Sequence, residues 1–266
     1  MSSRAAARVP DRLPAAEVRE MFDRIAPRYD VLNRVMTGGL DGRWRQAAAA
    51  AADVSAGGRA IDVCTGTGDL AMALADRITP LGELVGVDFS EPMLARARRK
   101  AERAGAEARF LAADALALPF PDGAFDAATV AFGARNLADL DAGLREMSRV
   151  VRPGGRVVVL EITAPERLRA AHGVWFDRAI PRLGRLISGD GAAYAYLPAS
   201  VKRFPAPREL AGAAEQINGC RNTPYQGYFD PRSCDSAEDR DAAADQGGPS
   251  IGRIGGSADA WMRYGS

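Results

Sequence analysis

One stretch constrains the fold of this chain more than any other: Ala60-Ile61-Asp62-Val63-Cys64-Thr65-Gly66-Thr67-Gly68-Asp69-Leu70. It reads as an apolar strand, a glycine turn and the start of a helix. About twenty residues further on comes Val85-Gly86-Val87-Asp88, a second apolar strand that ends in an acid. Strand, glycine turn, helix and strand in that order open a parallel α/β sheet. In such a sheet ligands sit beyond the carboxyl ends of the strands, near the first strand-helix turn. Glycine lets the backbone approach a ligand where a Cβ would clash. An acid at the tip of the second strand can accept both hydroxyls of a ribose. The stretch therefore points to a nucleoside-containing cofactor.

The alternation continues along the chain. Strands are expected at 59–64, 83–88, 107–112, 125–131 and 156–162, with helices near 69–78, 91–104 and 137–150 between them. Ser90 is the expected cap of the second of these helices, with Pro92 in its first turn. Leu137, Leu140, Leu144, Met147 and Val151 give the third an apolar face, with Asn136 as its expected cap. Arg152-Pro153-Gly154-Gly155 reads as a turn that stops this helix before Arg156-Val157-Val158-Val159-Leu160. Upstream, residues 16–52 read as helical. Val18, Met21, Phe22 and Ile25 recur at helical spacing, and Trp44 with the alanine run 47–52 suggests a further helix entering the first strand. The predicted class is α/β, a doubly wound, mostly parallel, Rossmann-like sheet.

The two ends break the pattern. Residues 1–15 read as a disordered N-terminus. From about Ala213 the apolar periodicity is lost, and Ile217, Ile251 and Ile254 are scattered. By composition 213–266 is a disordered or frameshifted tail with no good candidate for a further strand. Val157–Leu160, apolar on both faces, is then expected to stand as an unprotected sheet edge, an aggregation hazard.

Composition excludes several classes of function. The 266 residues allow one large domain with extensions. A net charge of +1 with mixed signs implies no general attraction to nucleic acid. No apolar run approaches the length that crosses a bilayer, and the first ten residues lack the apolar core of a secretory signal. Cys64, Cys220 and Cys234 form neither metal-ligand spacing nor a disulfide framework. The expected location is cytoplasmic, and no metal is expected.

The identity of the cofactor depends on the surroundings of the turn. Gly66-x-Gly68-x-x-Ala71 also satisfies a dinucleotide fingerprint, which alone would suit a nicotinamide dehydrogenase. Here, however, Asp62 precedes the turn inside the strand. A second acid follows the third strand in Arg109-Phe110-Leu111-Ala112-Ala113-Asp114-Ala115. Leu118-Pro119-Phe120-Pro121-Asp122-Gly123-Ala124-Phe125-Asp126 then leads into the fourth. This series resembles the class I S-adenosylmethionine-dependent methyltransferases.

Further segments narrow the resemblance. They are Met21-Phe22-Asp23-Arg24-Ile25-Ala26-Pro27-Arg28-Tyr29-Asp30-Val31-Leu32-Asn33, then Asp41-Gly42-Arg43-Trp44, and Ala131-Phe132-Gly133-Ala134-Arg135-Asn136-Leu137. Arg149-Val150-Val151-Arg152-Pro153-Gly154-Gly155 leads on to Glu161-Ile162-Thr163. With Ala193-Tyr194-Ala195-Tyr196-Leu197-Pro198-Ala199-Ser200-Val201 and Phe204-Pro205, they are similar to the C-methyltransferases of ubiquinone and menaquinone biosynthesis. The likeness runs over roughly 17–212. Asp41 is a departure, because some members carry a histidine there.

The resemblance implies a methyltransferase domain over 16–212, with 16–52 as lid helices. It implies that Gly66 and Gly68 wrap the methionine end of S-adenosylmethionine, supported by Asp62. Thr67, Asp88, Asp114 and Ala115 would contact the cofactor, with Ala131 at another contact position. Tyr29, Arg135 and Asn136 would face a polyprenyl quinol. An aromatic ring carbon is a poor nucleophile until an ortho or para oxygen ionises. Arg135 can stabilise the developing phenolate as a permanently charged donor. Tyr29 and Asn136 can hold a water that removes the proton.

Other features have blander readings. Arg96–Arg103 reads as a solvated helix face, Cys64 as a small buried packer, and His172, the only histidine, lies outside the motifs. Over 174–187, Val174, Trp175, Phe176, Ile180, Leu183, Leu186 and Ile187 interleave with Arg178, Arg182 and Arg185. This is either a helix packed on the domain, as a lid or in a homodimer, or a basic amphipathic segment resting on the inner face of a membrane. Pro181 interrupts both patterns. The expected activity is C-methylation of demethylmenaquinol. The alternatives are a methoxy-polyprenyl-benzoquinol substrate, an O- or N-methyltransferase, a dehydrogenase, and a defective product of a damaged reading frame.

Overall fold

Residues 13–78, 82–162, 191–205, 209–210 and 250–256 are described by a computed structural model. Three helices come first: α1 (Ala15–Ile25), α2 (Tyr29–Met36) after a 3-10 turn, and α3 (Asp41–Ala51). Strands and helices then alternate: β1 (Arg59–Val63), α4 (Asp69–Ile78), β2 (Glu83–Asp88), α5 (Glu91–Ala104), β3 (Arg109–Ala112) and β4 (Phe125–Ala131). A second 3-10 turn (Ala134–Asn136) precedes α6 (Leu140–Val150) and β5 (Val151–Ile162). Helix α7 (Gly191–Arg203) and strand β6 (Ser250–Gly256) complete the described elements.

The six strands form one sheet in the order β3-β2-β1-β4-β5-β6. Every pairing is parallel. The order reverses between β1 and β4, and that is where a doubly wound sheet leaves a crevice at its carboxyl edge. Both faces of β1, β2, β4 and β5 are covered, so these strands are apolar on both sides. On β5, Val158 and Leu160 pack with α3, α4 and α5, while Val157 and Val159 pack with α6. A separate apolar cluster joins Val18, Met21 and Ile25 of α1 with Leu32 of α2, Met93 of α5 and Tyr196 of α7. Phe89, just after β2, packs against it, so the cluster lies at the carboxyl ends of the strands.

Four expectations change. Asn136 does not cap α6; Asp139 does, its carboxylate accepting from the Ala142 N–H at 2.9 Å. Asn136 belongs to the 3-10 turn, one step closer to β4. Arg152–Gly155 is a bulge within β5 rather than a free turn, because Phe125 pairs with Val151 and Ala127 with Arg156. Pro153 has no N–H for the ladder and Gly154 adopts φ +74°, so the extra residues loop outward.

The third change concerns the tail. Residues 250–256 are a strand, not disordered chain, and they pair with β5 from Arg156–Ser250 to Ile162–Gly256. Val157–Leu160 is therefore not a bare edge. Composition reads side chains, whereas a ladder is made by backbone groups, which Gly252, Gly255 and Gly256 also supply. The fourth is in the basic run of α5. Lys100 turns inward to Asp30 and Asp69 rather than to solvent. The expectations for 1–12, for His172 and 174–187, and for the rest of the tail with Cys220 and Cys234 lie outside the described residues.

Candidate active site

The site begins where β1 ends. Cys64 takes a left-handed φ of +54°, followed by Gly66 at +56° and Gly68 at +84°. Left-handed backbone is uncommon for a residue with a Cβ, so Cys64 holds strain at the site. Its side chain packs where Gly133 lacks one: a Cβ on Gly133 would lie 2.5 Å from that of Cys64. Burial pushes the Cys64 thiol well up. Gly68 serves packing, since a Cβ there would meet Ala97 of α5 at 3.0 Å. The Thr65 N–H donates to Val87 O at 2.9 Å and ties the turn to β2.

Two buried acids frame this turn. Asp62 accepts from the hydroxyls of Thr65 at 2.7 Å and Thr129 at 2.8 Å. Burial raises its carboxyl to about 6, against the pull of those hydroxyls and of Arg45. Asp88, at the tip of β2, accepts from the N–H groups of Gly66 at 2.8 Å and Ser90 at 2.9 Å. Burial raises it to about 6 as well. The Phe89 N–H also holds it, and a carboxylate with two oxygens keeps further acceptor capacity.

Three hollows meet here. The first is lined by Gly66, Asp88, Phe89, Met93, Ala131 and Phe132 among others. The second has an apolar wall of Met21, Ile25, Leu32, Met36 and Leu197 and a polar side of Asn33, Arg135 and Asn136. Phe22, Tyr29 and Asn136 line both and form the partition between them. The third follows the turn past Arg45, Asp62, Thr67 and Asp69.

Arg135 is no surface charge. Its side chain is 7 % exposed and its guanidinium pairs with Glu161, which is fully buried. Arg135 Nε and Asn136 Oδ1 are buried without a hydrogen-bond partner. Tyr29 meets Phe22 edge to face with ring centroids 6.1 Å apart. Burial pushes its phenol up, opposed by Asn33 and by the Arg135 and Arg45 guanidinium groups.

Of the expected cofactor residues, Asp62, Gly66, Thr67, Asp88 and Ala131 line these hollows. Gly68, Asp114 and Ala115 do not: Gly68 faces Ala97 of α5, and the Asp114 carboxylate is exposed and accepts from the Leu116 N–H at 2.9 Å. The Thr67 hydroxyl donates to Asp30 of α2 at 2.5 Å. Sequence reasoning missed Glu161, Arg45, and the cluster of Lys100, Asp30 and Asp69. One signal was available for Arg45, which lies four residues after Asp41 on one helix face and pairs with it. Asp41 itself, where the resemblance sets a histidine in some members, also accepts from the Thr37 hydroxyl at 3.0 Å.

This arrangement fits S-adenosylmethionine. Asp88 offers acceptors for ribose hydroxyls, Phe89 and Met93 offer an apolar wall, and the left-handed turn opens toward the hollow with nothing nearer a Gly66 Cβ than Tyr29 at 4.0 Å. A parallel sheet of this order, with a glycine turn facing an acidic strand tip, is the Rossmann-like nucleoside-binding arrangement that the class I methyltransferases share with dinucleotide enzymes. The chain resembles the YcgJ protein of Bacillus subtilis, with TM-score 0.51 and 26% identity over 66% of this chain and 68% of that one. A SAM-dependent methyltransferase of Thermotoga maritima shares the fold, with TM-score 0.52 and 20% identity over 75% and 80% of the two chains.

Residues 11–229 match the ubiE/COQ5 methyltransferase family, and the chain belongs to it. It is 57% identical to the demethylmenaquinone methyltransferase of Thermus thermophilus over 71% of this chain and 87% of that protein. The protein of that name in Deinococcus radiodurans is 51% identical over 73% and 81%. A ubiquinone/menaquinone biosynthesis C-methyltransferase of Geobacter sulfurreducens is 44% identical over 79% and 82%. Among the described residues no helix is long and apolar enough to cross a membrane.

Proposed function

We propose that this chain transfers the methyl group of S-adenosylmethionine to a ring carbon of demethylmenaquinol. The observation that carries the reading is the pair of adjoining hollows. One holds the glycine turn and Asp88; the other is apolar with Arg135 and Asn136 at its polar side; Tyr29 and Asn136 stand between them. An apolar chamber with few polar groups suits a planar ring that carries a hydrocarbon tail.

S-adenosylmethionine, when bound, supplies an electrophilic methyl group on a sulfonium. The chain supplies position, charge and dryness. Asp88 orients the ribose, and Asp62 holds the turn through Thr65. Phe22, Met21 and Leu32 of the lid exclude water from the second hollow. Arg135 Nε, which lacks a partner, is placed to donate to a ring oxygen as negative charge develops. Asn136 Oδ1 is an open acceptor beside it for a water that carries the proton away.

The test is calorimetric titration of the full-length chain with S-adenosylmethionine and S-adenosylhomocysteine, then transfer of labelled methyl to demethylmenaquinol and to 2-methoxy-6-polyprenyl-1,4-benzoquinol side by side. Turnover of the naphthoquinol alone supports the proposal. Turnover of the benzoquinol alone moves the activity to ubiquinone biosynthesis, and methylation of catechol oxygen without either carbon product refutes C-methylation.

A further inference from the structure

The fully buried Glu161 at the carboxyl end of β5 lines none of the three hollows, yet it engages Arg135, which lines the chamber. Its Oε1 accepts from Arg135 Nη1 and from the Ile162 N–H at 2.9 Å. Its Oε2 accepts from the Arg135 backbone N–H at 3.2 Å. One carboxylate therefore grips Arg135 at both the backbone and the far end of the side chain. The rigid guanidinium fork is then fixed in plane, and Nε is left unpartnered.

We propose that Glu161 is a positioning residue: it aims the Arg135 Nε–H at the phenolic oxygen of the quinol and, as the counter-charge, sets how far that oxygen ionises before methyl transfer. The proposal rests on the reading of the second hollow as a quinol chamber. A lone buried guanidinium would hold a phenolate in the resting complex. Paired with Glu161 it is electroneutral, so a phenol binds largely protonated and the Nε–H interaction strengthens as charge develops. The other titratable or charged groups around the pair are Tyr29 of α2, Arg45 of α3, Cys64 and Asp62 of the β1 end, Asp88 of β2 and Tyr196 of α7. They are common to every variant, so a difference between variants reports Glu161.

The experiment uses 1-naphthol as the probe, bound to the full-length chain with S-adenosylhomocysteine, and reads naphtholate absorbance against pH. Turnover of demethylmenaquinol is measured beside it. Glu161→Gln should raise the ionised fraction of bound naphthol at a given pH by on the order of tenfold or more, because a buried counter-charge is gone. Its kcat should fall while S-adenosylhomocysteine affinity stays. Glu161→Asp keeps the charge and shortens the reach, so kcat should fall with naphthol ionisation unchanged. Wild-type ionisation and wild-type kcat in Glu161→Gln overturn the proposal. If that variant does not fold, a wild-type kcat in Glu161→Asp overturns it instead. Failure of the unaltered chain to bind naphthol refutes the chamber, and this proposal with it, and is distinguished by appearing before any substitution is made.

Discussion

On the cofactor side, Asp62, Gly66 and Asp88 come from one unbroken strand-turn-helix-strand unit. The chamber instead gathers Met21 from α1, Tyr29 and Leu32 from α2, Arg135 and Asn136 from the turn after β4, and Leu197 from α7. The first is built largely from backbone: left-handed φ angles, N–H groups of Gly66 and Ser90, and strand tips in register. The second is built from side chains that meet only after the chain has folded. The difference bears on tolerance. A backbone-built site survives surface change but depends on its few carboxylates, whereas a chamber of separate side chains loses function in small steps.

The largest effect should come from Asp88→Ala. It removes the acceptors for the ribose and leaves the backbone N–H groups of Gly66, Phe89 and Ser90 without their carboxylate. We expect S-adenosylhomocysteine affinity to fall about a hundredfold or more, as two hydrogen bonds to a charged acceptor are lost, with the fold retained by circular dichroism. A loss below about tenfold would mean that the cofactor is held by the chamber side and would dissolve the contrast.

The contrast also explains what could be read in advance. Strands β2 and β4 and helices α4 and α5 have the expected bounds, because apolar period and caps are local signals. The glycine turn was legible for the same reason. Glu161 was not, because nothing in a run of apolar residues ending in an acid says which distant arginine it will meet. Lys100 reads as a solvated helix residue until Asp30, seventy positions earlier, folds over it. Ser250–Gly256 was illegible because its ladder with β5 uses backbone groups alone. Tyr29, Arg135 and Asn136 were reached only through the resemblance of their motifs, since spacing could not have joined them.

A second test uses pH. Asp62 and Asp88 each move from 3.8 to about 6 in the folded chain. Between those values the folded state binds more protons than the unfolded state, so stability falls as pH rises from about 4 to 6. The penalty is complete above 6 and is on the order of 2–3 kcal/mol per carboxyl. Cofactor affinity should move the other way, falling as pH drops below about 6 and Asp88 is protonated. Thermal midpoints of the cofactor-free chain and calorimetric affinities over pH 4–8 check both signs. Asp62→Asn should flatten the stability curve. Parallel trends in stability and affinity would mean that these acids do not control the turn.

Arg135→Lys probes the chamber side. It keeps the charge but loses the fork that engages Glu161 at one end and leaves Nε at the other. Turnover should fall by about ten- to a hundredfold, the loss of one oriented hydrogen bond to a charged group, with S-adenosylhomocysteine affinity unchanged. Equal losses in both would show that the two sides are one cooperative unit.

The smallest effect is expected where the two sides are joined. Ser90 is fully buried; its hydroxyl donates to Asp23 of α1 and accepts from the Met93 N–H, capping α5. Ser90→Ala removes the cap and should lower stability by about 1 kcal/mol in urea unfolding. The Asp23 contact ties α5 to α1, whereas Asp88 receives the Ser90 N–H, which alanine retains. Hydrogen exchange should therefore quicken in α1 while cofactor affinity changes less than about threefold. Asp23→Asn keeps an acceptor for the hydroxyl and should leave α1 protected. If Ser90→Ala instead weakens the cofactor as much as Asp88→Ala does, the lid is part of the cofactor site, and the division between a backbone-built half and a side-chain-built half fails at the seam where it should be clearest.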